Sequence, residues 1–151
     1  MEQGTGKYIT GGVYVITTSS GGIINGQAAS WVTRISQEPF WVAVALYERN
    51  YTHDLLLESD IFAINVLKEG QQEIARHFGK QSGRKVDKFA GIKFHKAKTG
   101  APILDDCLAY LDCEVIFSRK FGDHTLFIGE IVDEGVLNEG KPLVYRHEDY
   151  F

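Results

Sequence analysis

At 151 residues, with 44% hydrophobic and 12% aromatic side chains, the chain can bury one continuous core over residues 1–151, which excludes a disordered chain. Its 16 basic and 20 acidic side chains are interspersed and sum to −4, a balance that argues against nucleic acid as a partner. No apolar run approaches bilayer length, and the start, MEQGTGKYITGG, lacks a charged region followed by an apolar one; a cytoplasmic protein with no membrane partner is expected.

In chain order, Gly12–Thr18 reads as a strand, Ser19–Gly22 as a turn and Ile23–Ser30 as the hairpin partner, while Phe40–Leu46 is apolar throughout and predicts a fully buried strand. Thr52 is placed to cap a short helix over HDLLLESD, Ile61–Leu67 returns as a strand, and Gln71–Phe78 predicts a second helix ended by Gly79. The stretch from Gly79 to Phe89 is polar and basic, with Lys80, Arg84, Lys85 and Lys88. It predicts a loop facing solvent or an anionic ligand, and charge alone favours solvent. Ala109–Phe121 and Thr125–Leu137 predict two long strands joined by Gly122-Asp123-His124, and Pro39, Pro102 and Pro142 fall at strand edges or turns. Many strands with short connections and few helices imply a mainly β protein closed as a barrel, because closure removes exposed edges.

Residues suited to side-chain chemistry are few. Cys107 and Cys113 match neither a redox CxxC pair nor a zinc site, and alternation in LAYLDCEVIF places Leu111, Cys113, Val115 and Phe117 on one face, with Cys113 as a buried small hydrophobe. His53, His77, His95, His124 and His147 show no ligand spacing with a carboxylate, so no metal is expected. Asp105 and Asp106 read as turn formers after Pro102 rather than as an acid–base pair. On their own, Ser30 and Thr52 read as a strand hydroxyl and a helix cap, and His124 as a turn residue. The unusual segment is Asn25-Gly26-Gln27-Ala28-Ala29-Ser30-Trp31, polar and small where a core strand would carry Val, Ile or Leu. Small side chains let a flat ligand approach the backbone, whose N–H and C=O groups can then read its edge.

The order GGVYVITT, GQAASW, EPFWVAV, NYT before a helix, FAINVL, QEIARHFG, DKF and GDHTLFIGE resembles the flavin reductase-like, FMN-binding split-barrel family over most of the chain. Within it, HFGKQSGRKVDKF and the YRHEDYF tail are most similar to flavoredoxin-like members and to the flavin domains that serve rubredoxin. The resemblance implies a Greek-key split β-barrel with two or three short helices and FMN bound at a homodimer interface. It also implies NADH or NADPH as donor and a flavin, iron or redox-protein acceptor such as rubredoxin.

Carried onto this sequence, the resemblance assigns Gln27, Ala28, Ala29, Ser30 and Trp31 to the isoalloxazine and ribityl chain, and Asn50, Tyr51 and Thr52 to the phosphate side. Ser82, Gly83, Arg84 and Lys88 supply further phosphate contacts, Phe78 or Phe89 covers the ring, and Asn25, Gly26 and Leu46 complete the cofactor-binding set. His124 is assigned the catalytic place beside the nicotinamide. Many members carry Thr-Ala-Ser-Ser where this chain has Gln27-Ala28-Ala29-Ser30, so one hydroxyl is replaced by an amide-bearing side chain. The same residues leave open an electron carrier without its own NAD(P)H turnover. A cofactor-free barrel and an oxidase of the pyridoxamine-phosphate type remain as further alternatives, the latter requiring a second basic phosphate site that the sequence does not display.

Overall fold

The computed structural model describes residues 4–151. Strand β1 (Tyr14–Ser20) pairs antiparallel with β2 (Ile23–Ala29) from Tyr14↔Ala29 to Ser20↔Ile23. The tight turn between them needs positive φ at both central residues, which Gly21 and Gly22 supply at 57° and 85°. The chain then breaks at Ser30 and Trp31 and enters β3 (Val32–Ser36), which pairs with β4 (Trp41–Tyr47). Strand β3 was not legible in advance because it is an edge strand, and its VTRIS residues are half-buried or exposed.

Helix α1 (Tyr51–Ser59) leads into β5 (Ile61–Val66), and α2 (Gln72–Gly79) follows. Strands β6 (Phe94–Lys96) and β7 (Pro102–Leu104), also beyond the sequence reading, form a separate two-stranded ribbon. The long hairpin is β8 (Ala109–Phe121) with β9 (His124–Val136), and short 3-10 turns lie at Gly4–Tyr8 and His147–Asp149.

The main sheet has seven strands in the order β2-β1-β5-β8-β9-β4-β3. Ile16 of β1 and Val42, Val44 and Leu46 of β4 share one buried cluster with Phe62, Ile64, Cys113 and Phe127, although β5, β8 and β9 separate β1 from β4 in the sheet. A flat sheet cannot bring those strands together, so it is curled into a barrel, split between β2 and β3. Because side chains alternate along a strand, Val15 faces away from this cluster into a second one with Leu67, Ala75, Phe78, Phe89, Leu104, Cys107 and Leu143. Helix α2 and the C-terminal segment thus pack on the outside of the barrel wall.

Two bulges, at Asp112/Cys113 and Val115/Phe117, break the alternation expected along β8. Cys113 is buried as expected, but Phe117 is 47% exposed instead of sharing its face.

Candidate functional site

The break between β2 and β3 is flanked by the N-terminus of α1, the C-terminus of α2 and the loop after it. There the segment 25–31 borders two hollows. The first, about 310 Å³, is lined by Gln27 and Ala28, by residues 49–52 at the start of α1, by Phe78 to Gly83 and by Lys88. The second, about 250 Å³, is lined by Ala28, Ala29 and Ser30, by Ala75, Arg76, Gly79 and Lys80, and by the tail residues Tyr145, Tyr150 and Phe151. Ala28, Gly79 and Lys80 border both, so the hollows form one groove.

The first hollow is built from buried polar groups. Asn25 Nδ2 donates to Thr52 Oγ1 at 3.0 Å, joining β2 to the first turn of α1. Thr52 is therefore engaged by β2 and is no cap: the cap position is Asn50, which makes no side-chain capping bond. The first-turn N–H groups of α1 are left without a side-chain acceptor, an arrangement that favours an anion.

Lys88 is 4% exposed, and its Nζ donates to the carbonyls of Gly26 at 2.9 Å and Phe78 at 2.8 Å. These bonds use two of the three ammonium donors. Burial pushes its pKa down to about 8. Gln27 is also buried, and its Oε1 has no hydrogen-bond partner. A buried acceptor without a donor costs free energy unless a ligand supplies one.

Two glycines expected to admit a ligand are small for another reason. A Cβ at Gly26 would stand 3.0 Å from the Thr17 methyl, and one at Gly83 would stand 2.3 Å from Asn25 Oδ1. Gly26 lets β2 lie close to β1, and Gly83 lets the loop press onto Asn25. The groove is floored instead by Ala28, Ala29 and Gly79.

Other expected contacts are engaged elsewhere. Arg84 pairs with Asp54, donates from Nη1 to the Arg49 carbonyl at 3.1 Å and lies 4.8 Å over the Tyr51 ring. Its guanidinium straps the loop to α1 and does not border the first hollow. Phe78 and Phe89 are core residues, their rings edge to face at 5.3 Å, and of the two Phe78 also borders the first hollow. Leu46 is fully buried in the barrel core, with no surface to offer a cofactor.

Beyond Ser30 the indole of Trp31 is 53% exposed and stacks on the His124 imidazole, centroids 4.4 Å apart and planes 22° from parallel. His124 opens β9 opposite Tyr47, and its Nδ1 lies 2.7 Å from Asp123 Oδ1. That bond holds the Asp123 carboxyl below the usual carboxylate range. The structure thus joins Trp31 to His124, two residues 93 positions apart that the sequence assigned to separate tasks.

The tail contacts were not assigned in advance; the aromatic spacing of YRHEDYF was their one visible signal. Asp105 bonds His95 at 2.7 Å and the Asp106 carbonyl accepts from Gln71, which fits turn residues and no acid–base pair. Burial pushes the Cys107 thiol up to about 12 and raises that of Cys113 as well, so neither is a nucleophile at neutral pH. Among the described residues no group of three metal-binding side chains converges, and no helix is long and apolar enough to cross a membrane.

A split barrel with a polar groove beside its seam defines a class of ligand-binding β protein. Known proteins narrow that class. The family described as flavin reductase like domain matches residues 6–151, and the chain belongs to it. It is 34% identical over 139 residues to the ferric-chelate reductase (NAD(P)H) of Archaeoglobus fulgidus, covering 91% of this chain and 82% of that protein. It is 38% identical over 141 residues to the high molecular weight rubredoxin of Moorella thermoacetica, covering 92% of this chain. Of that relative's length the match spans 62%, and of a Nostoc putative diflavin flavoprotein 25%. Among solved structures, the FMN-binding protein from Thermus thermophilus superposes with a TM-score of 0.88 at 28% identity, covering 99% of this chain and 89% of that one.

Proposed function

We propose that the chain is a cytoplasmic, FMN-dependent NAD(P)H oxidoreductase domain that passes electrons to a flavin, iron or redox-protein acceptor. The observation that carries this reading is the first hollow: a buried ammonium with a spare donor, an orphaned Gln27 acceptor and an uncapped helix start converge on one space. An anionic ligand with a hydrogen-bonding ring satisfies all three, and FMN has both parts. When bound, the flavin supplies hydride acceptance at N5 and onward electron transfer.

The chain's own residues do the positioning. The α1 N-terminus, Asn50 to Thr52, Ser82 and the Lys88 charge hold the phosphate side, and Gln27 to Ser30 face the ring. Trp31 and His124, stacked and solvent-facing, would orient the nicotinamide. No side-chain nucleophile is required, in keeping with the protonated thiols.

The visible spectrum of the purified protein, before and after anaerobic NADH or NADPH, is the direct test. Flavin bands that bleach with the nicotinamide support the reading, and a colourless protein that does not take up FMN overturns it.

A second reading is an FMN-binding carrier that is reduced by another protein. It is favoured by the relatives in which the matched region is only part of a longer redox protein. Rapid mixing separates the two, since a carrier holds FMN yet is not reduced by NADH or NADPH within seconds.

The proposed assembly is a homodimer. Ile35, Ile116 and Phe117 are 45–47% exposed, apolar surface that a second copy would cover. A monomer that retains FMN in light scattering at micromolar concentration would exclude it.

A further inference from the structure

The second hollow carries a group that the phosphate and nicotinamide assignments leave without a task. Tyr150 lines it, is 9% exposed, and its hydroxyl is buried with no hydrogen-bond partner. The segment that carries Tyr150 is not loose. Arg76 Nε and Nη2 donate to the Asp149 carbonyl at 3.0 and 2.7 Å, and the guanidinium lies 5.9 Å from the Tyr150 ring centroid. Tyr145 stacks on Tyr150 with planes 16° apart, and Lys80 lies 6.0 Å over the Phe151 ring. These contacts hold a phenol in place while leaving its one polar atom unsatisfied, which costs free energy in the empty protein.

We propose that the segment Tyr145–Phe151 is a wall of the ligand groove, and that the Tyr150 hydroxyl donates a hydrogen bond to the edge of a planar heteroaromatic ring lying against Ala28–Ser30. The proposal rests on the flavin reading and names the isoalloxazine as that ring. The floor suits a flat ligand. Ala28, Ala29 and Ala75 rise no further than a methyl, and a Cβ at Gly79 would stand 3.1 Å from that of Ala28, so little larger fits there. Burial and the neighbouring Asp149 raise the Tyr150 pKa, so the hydroxyl stays protonated and a donor at neutral pH. At about 250 Å³ the hollow has room for fused rings.

The variant Tyr150→Phe removes only the unpaired oxygen. Its thermal midpoint without ligand should equal or exceed that of the parent. Lumiflavin, which is the ring without ribityl or phosphate, and FMN should both bind about five- to tenfold more weakly, read by quenching of flavin fluorescence. Lumiflavin should also slow chymotrypsin cleavage within the segment in the parent protein. Equal lumiflavin affinity in parent and variant overturns the proposal, and so does a loss confined to FMN, which would put the hydroxyl beside the ribityl phosphate. A parent that binds no flavin of any kind overturns instead the functional reading on which the proposal stands.

Discussion

The groove under α1 and the Trp31–His124 face lie on either side of the β2–β3 break, and they are built in opposite ways. Under α1 the polar groups Asn25, Gln27, Thr52 and Lys88 are buried, and most are fixed by bonds across elements: Asn25 to Thr52 and Lys88 to two carbonyls. At the other face Trp31 is half-exposed, and His124 is held by a stack and by an adjacent exposed carboxylate. Buried, prearranged donors suit a ligand that stays, because their ordering cost is met during folding. An open aromatic platform suits a ligand that arrives and leaves. The difference supports placing the proposed cofactor under α1 and the proposed donor at the Trp31–His124 face, and it can be broken one side chain at a time.

The largest effect is expected at Lys88. Lys88→Met deletes a charge-assisted contact of about 1.5 to 3 kcal/mol, so FMN should bind roughly 10- to 150-fold more weakly in isothermal titration, with riboflavin affected less. The pH dependence follows from the direction of the shift. Burial lowers this ammonium from 10.5 to about 8 in the folded chain. Between those values the unfolded state binds more protons, so the contribution of Lys88 to stability is fully present above the unfolded value and is lost as pH falls through about 8. FMN affinity should move the other way, declining as pH rises past about 8 and the charge is lost. Both trends should be absent in Lys88→Met.

On the open side, His124→Ala should leave FMN affinity and the flavin spectrum nearly unchanged while slowing reduction by NADH about tenfold, the consequence of losing one oriented contact of about 1.4 kcal/mol in the transition state. Reduction by dithionite should be unaffected. Equal NADH rates in stopped flow would return His124 to the role of a hairpin residue and dissolve the contrast between the two faces.

How much of this was legible in the sequence depended on whether local pattern or tertiary context decides a residue's role. The first hairpin, β4, both helices and the long C-terminal hairpin carry their own signals of alternation, turn glycines and apolar runs. Strand β3 and the β6–β7 ribbon do not, since VTRIS at a sheet edge has no apolar periodicity. At the site, the segment 25–31 was visible as an anomaly, yet the reason for its glycines was not. Gly26 and Gly83 answer to Thr17 and Asn25, contacts that no local window contains. Thr52 looked like a cap because threonine before a helix usually is one, but Asn25, 27 residues earlier, claims its hydroxyl.

That bond gives the next smaller effect. Thr52→Val leaves Asn25 Nδ2 buried without its acceptor and should lower thermal stability by about 1 to 3 kcal/mol, while FMN weakens more than riboflavin because the first turn of α1 loses its tether. Equal loss for the two ligands would mean that the phosphate does not sit at this helix end.

The smallest effect is expected at Arg84, to which the family resemblance assigned a phosphate contact. Its guanidinium is already committed to Asp54, the Arg49 carbonyl and the Tyr51 ring, and the pair is solvent-facing, with side chains 44% and 47% exposed. Exposed pairs of this kind contribute about 0 to 1 kcal/mol, because water and salt screen the attraction and two long side chains must be held still. Arg84→Ala should therefore cost at most that much in thermal stability. It should weaken FMN and riboflavin by similar, small factors, since it loosens the loop around Ser82 and Gly83 without removing a ligand contact. A loss of FMN affinity that approaches that of Lys88→Met and spares riboflavin would show that Arg84 leaves Asp54 for the phosphate, and that the loop closes on the ligand instead of standing ready for it.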